Sequence, residues 1–298
     1  MRIRRPQSKT LPASLSCIGL ACVIAIGLGA CSSSSSKQSG RYSQAQDTAP
    51  AQHIDVTAVK DAVPRVEPYS RYGNPSSYVV LGKRYHTLDS SKNYRERGIA
   101  SWYGTKFHGH RTSSGESYDM YKMSAAHKSL PLPTYARVTN LDNDKSVIVK
   151  VNDRGPFHDN RLIDLSYAAA SRLGILGKGT GLVEIEAINP REHQQPPTKP
   201  RIAASQPKVA NSSPAGDRQH KPELYLQLGA FLSRSNAEKL QARLRDTVPG
   251  KLQITRAVSN QQPVYRLRAG PLASVETADQ LTKILATQGV DSPRVVID

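Results

Sequence analysis

The side chains of this 298-residue chain that could move protons or hold a metal concentrate between residues 102 and 159. Asp153 ends an apolar run and stands in Asn152-Asp153-Arg154-Gly155-Pro156. A carboxylate at a strand end, before a rigid turn, sits at a rim where it can give or take a proton; the same residue can simply organise the turn. Glu116 follows Thr112-Ser113-Ser114-Gly115 and reads as a second acid group or as a solvated loop residue. His127, in Ala126-His127-Lys128, is predicted on a short helix, where it could bond a carboxylate or a substrate, or be satisfied by backbone. His108, His110, His158 and Asp159 raise the question of a metal. Phe107-His108-Gly109-His110 reads as a polar loop with no further ligand motif, so no metal site is assigned. Trp102 and Tyr103 offer ring faces to a sugar, but alternation sends them to opposite faces of a strand, one to the core and one to a groove.

The elements that must position these groups can be read from periodicity. Residues 98–104 form a strand ending at glycine, and residues 135–141 alternate apolar and polar. Asp142-Asn143-Asp144 turns the chain into Ser146-Val147-Ile148-Val149-Lys150-Val151, a β-hairpin. Asp164 or Ser166 caps a helix over 167–173, stopped by Gly174, and 181–188 is a closing strand. Many short strands with one small helix predict a compact barrel over residues 76–188. Residues 222–298 read as strand, helix, two strands, helix and strand, the β-α-β-β-α-β order of a ferredoxin-like domain. The two dense regions are separated by a polar, Pro-rich linker, 189–221, and preceded by a Ser/Gln/Ala/Pro-rich tether, 31–75; both are expected to be disordered.

The N-terminus reads as an address. Arg2, Arg4, Arg5 and Lys9 precede an apolar stretch, 15–28, then Leu28-Gly29-Ala30-Cys31 and five serines. This is the layout of a secretory signal, 1–30, with an apolar run too short to span a membrane comfortably. Small residues before the cut and a thiol after it resemble a bacterial lipoprotein signal, which implies lipid on Cys31. Two or more acyl chains anchor firmly where one does not. Ser32 stands where an Asp would act as an inner-membrane retention signal, so the resemblance favours the periplasmic face of the outer membrane. Cys17 and Cys22 leave with the peptide, so the mature chain has no internal disulfide and no Cys-based zinc site. Four of the positive charges behind the formal +17 leave too, and the mature chain keeps +13. Export removes nucleic acid as a partner; anionic wall polymer or the membrane face suits the charge, as does a generally solvated basic surface.

Four motifs then carry a resemblance. Gly98-Ile99-Ala100-Ser101-Trp102-Tyr103-Gly104, Thr112-Ser113-Ser114-Gly115-Glu116, Ala125-Ala126-His127-Lys128-Ser129-Leu130-Pro131 and Val151-Asn152-Asp153-Arg154-Gly155-Pro156-Phe157 together resemble the rare lipoprotein A family, bacterial cell-wall proteins with a double-psi β-barrel. Gln227-Leu228-Gly229-Ala230-Phe231, Ser235-Asn236-Ala237 and Tyr265-Arg266-Leu267-Arg268-Ala269-Gly270-Pro271 resemble a sporulation-related repeat (SPOR) domain.

The resemblance implies an endolytic lytic transglycosylase, which cuts the bond between N-acetylmuramic acid and N-acetylglucosamine and leaves a 1,6-anhydromuramic end. Its implied substrate is peptidoglycan stripped of stem peptides, enriched at the division septum, where SPOR domains bind and divisome proteins are implied partners. No cofactor is implied. Asp153, Glu116 and His127 fall on the family's active-site positions. Cleavage needs a proton donor and stabilisation of oxocarbenium-like charge. Asp153 is the expected acid/base and Glu116 the orienting or stabilising group; the sequence also admits the reverse. Arg154 could hold a carbonyl or the lactyl carboxylate of muramic acid. Gln227, Tyr265 and Arg268 are candidate glycan contacts, and Tyr265 fits a core position equally well. Two other functions compete: a non-catalytic glycan-binding tether, and a metal-dependent amidase, for which zinc ligands do not assemble.

Overall fold

The computed structural model describes residues 46–51, 54–56, 58–193, 221–259, 261–290 and 293–298. The signal, Cys31 and most of the linker lie outside the described residues.

A small hairpin comes first, β1 (Ser77–Val80) with β2 (Lys83–His86). Six strands then close a barrel: β3 (Arg95–Tyr103), β4 (Ser124–His127), β5 (Thr134–Asn140), β6 (Ser146–Asp153), β7 (Arg161–Ser166) and β8 (Thr180–Ile188). Round the barrel they run β3-β7-β4-β6-β5-β8, with β3/β7 and β4/β6 parallel and the other pairs antiparallel. This is the double-psi β-barrel. Alternation fills it: Val147, Val149 and Val151 of β6 point inward and are buried, and Val138, Ile163, Leu165, Val183 and Ile185 meet them. Helix α1 (Tyr167–Leu173) buries its three alanines against this core; its N-cap Ser166 accepts from the Ala169 N–H, and Gly174 ends it in the left-handed region.

After a short helix, α2 (Pro190–His193), the second domain runs β9 (Leu224–Phe231), α3 (Arg234–Leu244), β10 (Leu252–Ser259), β11 (Gln262–Leu272), α4 (Val275–Thr287) and β12 (Arg294–Ile297). Its sheet has the order β10-β11-β9-β12. Leu224, Leu226, Leu267 and Ala269 on one face pack with Leu244, Ala278, Leu281 and Leu285 of the two helices.

Two expectations are corrected. Residues 46–75 are not a free tether: Val56 is buried in the barrel core, and the Ala62 N–H bonds the Ile148 carbonyl at 3.0 Å. Asp47 accepts from the Gly104 and Lys106 N–H groups, and Asn74 exchanges hydrogen bonds with both backbone groups of Leu132. Isolated polar residues here satisfy barrel backbone groups that would otherwise be orphaned. Composition records their polarity and not their partners. His127 is not on a helix; it ends strand β4, pairing with Ile163 of β7.

Candidate active site

The site is built on the outward face of β6. With Val147, Val149 and Val151 committed to the core, Lys150 and Asn152 must face out. The segment 111–117 folds over them. Gly115 makes its turn at φ +96°, a left-handed conformation that strains any side chain, and a Cβ there would press on the Arg111 guanidinium at 3.1 Å. This turn delivers two residues to consecutive positions of β6. Ser113 donates both its N–H (2.7 Å) and its hydroxyl (2.6 Å) to Asp153 Oδ1. Glu116 accepts from Asn152 Nδ2 at 2.7 Å through Oε2 and from Lys150 Nζ at 2.8 Å through Oε1.

The two carboxylates are therefore held differently. Asp153 Oδ1 also receives the Arg154 N–H at 2.7 Å, so three donors converge on one oxygen and none of them reaches Oδ2. Burial acts to raise the Glu116 pKa, but the Asn152 and Lys150 bonds outweigh it and hold the group below the ordinary 4.5. Lys150 is shared with Glu67, at 2.8 Å, from the segment wrapped over the barrel; despite the cost of burial, the two glutamates keep its ammonium charged. Glu67 is held ionised by Lys150 and Tyr135 against the effect of its burial. The buried Asn152 Oδ1 has no partner, an unmatched acceptor beside Glu116. A cleft of ≈ 330 Å³ opens over Glu116, Lys150, Asn152 and Tyr121; a second, ≈ 610 Å³, shares Arg65 and Tyr135 with it.

His127 supports this ensemble from below. It is 2% exposed. Its Nδ1 accepts from the N–H groups of Ser129 and Leu130, which leaves the ring proton on Nε2, donated to the Tyr94 hydroxyl at 3.0 Å. The Tyr94 hydroxyl in turn donates to Glu96 Oε2 at 2.8 Å. Burial, with Arg154 and Lys128 nearby, takes the His127 pKa down to about 3, so the ring is neutral.

Arg154 bonds the carbonyls of Gly73, His127 and Leu130 and the Asn74 side chain, tying the wrapped segment and the end of β4 beside Asp153. Most of its donors are spent on protein, which corrects the expectation of a substrate clamp. The aromatic pair divides between a buried and a half-buried position. Tyr103 is buried, stacked on Tyr118 at 4.1 Å, and half-buried Trp102 packs edge-on against Tyr167 in the barrel cluster.

The histidines considered for metal are separated. His108 Nδ1 accepts from the Met120 N–H, and His158 faces Asp279 of α4 at 3.7 Å. Among the described residues no three His, Cys, Asp or Glu side chains form a metal-sized group.

In the second domain, Gln227 pairs with Arg268 on one side and Arg294 on the other, so the three form a row on the face away from the helices. Arg268 is tied to Asp298 at 2.8 Å, and its guanidinium lies 6.0 Å from the Tyr225 ring centre. Tyr265, opposite Phe231, falls by alternation on the face of Leu267 and is separated from that row. Sequence reasoning missed Ser113, Lys150, Glu67 and Arg294. Lys150 was within reach, because alternation along β6 puts it beside Asn152; Glu67 has no local signal.

Comparison with known proteins agrees with this architecture. Residues 95–185 match the double-psi-barrel family described as "Lytic transglycolase", and residues 222–293 match the SPOR domain family. The chain is 38% identical to the endolytic peptidoglycan transglycosylase RlpA of Pseudomonas aeruginosa PAO1, over 98% of both chains. It is 41% identical to the protein of the same name from Vibrio cholerae, over 91% of this chain and 93% of that one. The crystal structure of the RlpA SPOR domain from Pseudomonas aeruginosa matches 24% of this chain and 96% of its own, with 33% identity and a TM-score of 0.24. With near-full-length identity to these relatives and the same pair of domains, the chain belongs to the RlpA family of endolytic peptidoglycan transglycosylases.

Proposed function

We propose that this protein cleaves peptidoglycan strands by lytic transglycosylation, with Asp153 as the proton carrier and Glu116 as the fixed negative charge. The single observation that carries this division is the contrast between the carboxylates: Glu116 is held ionised through both oxygens, and Asp153 is held through one. Asp153 Oδ2 gives a proton to the glycosidic oxygen; the bond from muramic C1 breaks, and its electron pair stays on the departing oxygen. The muramic C6 hydroxyl then attacks C1, and its proton returns to Asp153. The strand gains a 1,6-anhydro end and no water is consumed. Glu116 stabilises the oxocarbenium-like charge that develops between these events. His127, neutral and hydrogen-bonded at both nitrogens, orients the end of β4 and the Arg154 clamp.

The finer reading follows from the sequence motifs. The preferred substrate is glycan free of stem peptides, and the second domain holds the same strands through the Gln227–Arg268 face. The protein is a lipoprotein anchored through Cys31 to the outer membrane, facing the periplasm and concentrated at the septum during division. Digestion of stem-peptide-free and intact peptidoglycan with the full chain tests this. Anhydromuramic ends, formed faster from the stripped substrate, are expected. Pelleting with the glycan without product release would favour the binding-tether reading instead.

A further inference from the structure

Tyr103 is buried and Trp102 half-buried against Tyr167, and three other aromatic rings gather near Asp153. Tyr78 and Tyr85 are direct partners across the β1–β2 hairpin and so share a face; their rings stack at 5.4 Å with an interplanar angle of 22°. Phe157, four residues beyond Asp153 and after Gly155-Pro156, leans on Tyr85 at 5.5 Å and on Tyr78 at 6.3 Å. Tyr78 is the fixed base of the group. Its hydroxyl donates to the Lys128 carbonyl at 2.6 Å, and the Arg154 guanidinium lies 5.9 Å from its ring centre. The hairpin is pinned to the segment after Phe157 by the Lys83–Asp159 ion pair.

These rings do not complete the barrel core. The hairpin is a separate two-stranded sheet, neither tyrosine belongs to the core cluster, and Phe157 remains 37% exposed. A two-stranded hairpin has little stability of its own. This one is held in place by side-chain bonds and presents an aromatic surface on the same loop as the proton carrier. Leaving such carbon in water costs free energy that a ligand's apolar face recovers. The ligand that reaches Asp153 is a chain of pyranose rings, whose C–H faces are flat, apolar and ring-sized. The two tyrosines lie outside the barrel region shared with the lytic transglycolase family, residues 95–185.

We propose that Tyr85 and Phe157, backed by Tyr78, form a glycan subsite next to Asp153 that takes one N-acetylhexosamine ring of the strand by stacking. The subsite rests on the reading of the barrel as a glycan-cleaving site. It fixes the register of the strand, so that the scissile bond is presented to Asp153 and neighbouring bonds are not.

The test uses the full chain with Tyr85→Ala, Phe157→Leu and Phe157→Tyr, acting on soluble stem-peptide-free strands of defined length. For Tyr85→Ala and Phe157→Leu, KM is expected to rise about tenfold with kcat little changed, as for loss of one aromatic anchor. Phe157→Tyr keeps a ring and should keep the parent KM, whereas a purely packing role would not separate it from leucine. Thermal melting of each variant identifies any that fails to fold, and the half-exposed Phe157 pair then decides. Unchanged KM in the folded ring-removing variants overturns the proposal. A second readout separates it from the reading beneath it: ring-proton NMR of Asp153→Asn protein titrated with the strands. Shifts at Tyr85 and Phe157, with a parent that releases no anhydro ends, would uphold the subsite and reject the activity. Cleavage by the parent without such shifts would do the reverse.

Discussion

In the barrel groove, the Lys150 ammonium is held between Glu67 and Glu116, each at 2.8 Å, and Glu116 is further bonded to Asn152. On the sheet of the second domain, Arg268 is itself largely buried, lies over the Tyr225 ring and is paired with one carboxylate, that of the half-exposed Asp298. Both surfaces consist of outward-facing side chains on a strand whose other face is core. The difference lies in how far the charges are committed before a ligand arrives. A network closed by several partners costs nothing to organise during a reaction, which suits stabilisation of a transient charge. An ion pair with one half-exposed carboxylate is closed by fewer partners than the groove network and is more easily exchanged. It suits a surface that exchanges one partner for another, as reversible holding of a strand requires. Preorganisation belongs to the groove and exchangeability to the sheet.

Breaking the groove should have the largest consequence. Asp153→Asn should lower the rate of anhydro-end formation by about 10²–10⁴-fold, the usual worth of a general acid, while pelleting with insoluble peptidoglycan is unchanged. Lys150→Met probes the network rather than the proton carrier. It removes the main group lowering the Glu116 pKa besides Asn152, so the acid limb of the pH–rate profile should move to higher pH and kcat should fall about tenfold or more. An acid limb that stays in place would mean that Glu116 is not the fixed charge.

His127 sharpens the comparison through stability. Its folded pKa, about 3, lies below the ordinary 6.5, so the unfolded chain binds the extra proton between those values. Stability is therefore lost as pH falls through 6.5 toward 3, by about 2 kcal/mol at pH 5. Urea unfolding of the barrel at pH 7.5 and 5 should show that loss, and His127→Gln should lack it. Glu116 adds a further loss only below 4.5, as pH falls through its lowered value. The smallest expected effect is on the sheet. Arg268→Gln should weaken pelleting with stripped glycan a few-fold and leave cleavage of soluble strands unaltered; equal loss of both would merge the two surfaces into one site.

The parts legible in the sequence are those governed by local period. The β5–β6 hairpin, the Ser166-capped helix with its Gly174 stop and the six elements of the second domain stand close to where alternation and capping put them. The site was legible through its motifs, and the contrast between its carboxylates was not. Ser113 reaches Asp153 across 40 residues and Glu67 reaches Lys150 across 83, pairings that leave no periodic trace. The wrapped segment 46–75 and the Tyr78–Tyr85 hairpin escaped notice for the same reason. Their order comes from single side chains meeting distant backbone and not from a repeating apolar stripe.

The most direct test of the central claim is mass spectrometry of products from stem-peptide-free peptidoglycan digested with the full chain and with Asp153→Asn. Anhydromuramic ends from the parent alone are predicted. Reducing ends from the parent, or equal amounts of anhydro ends from the variant, would contradict the account.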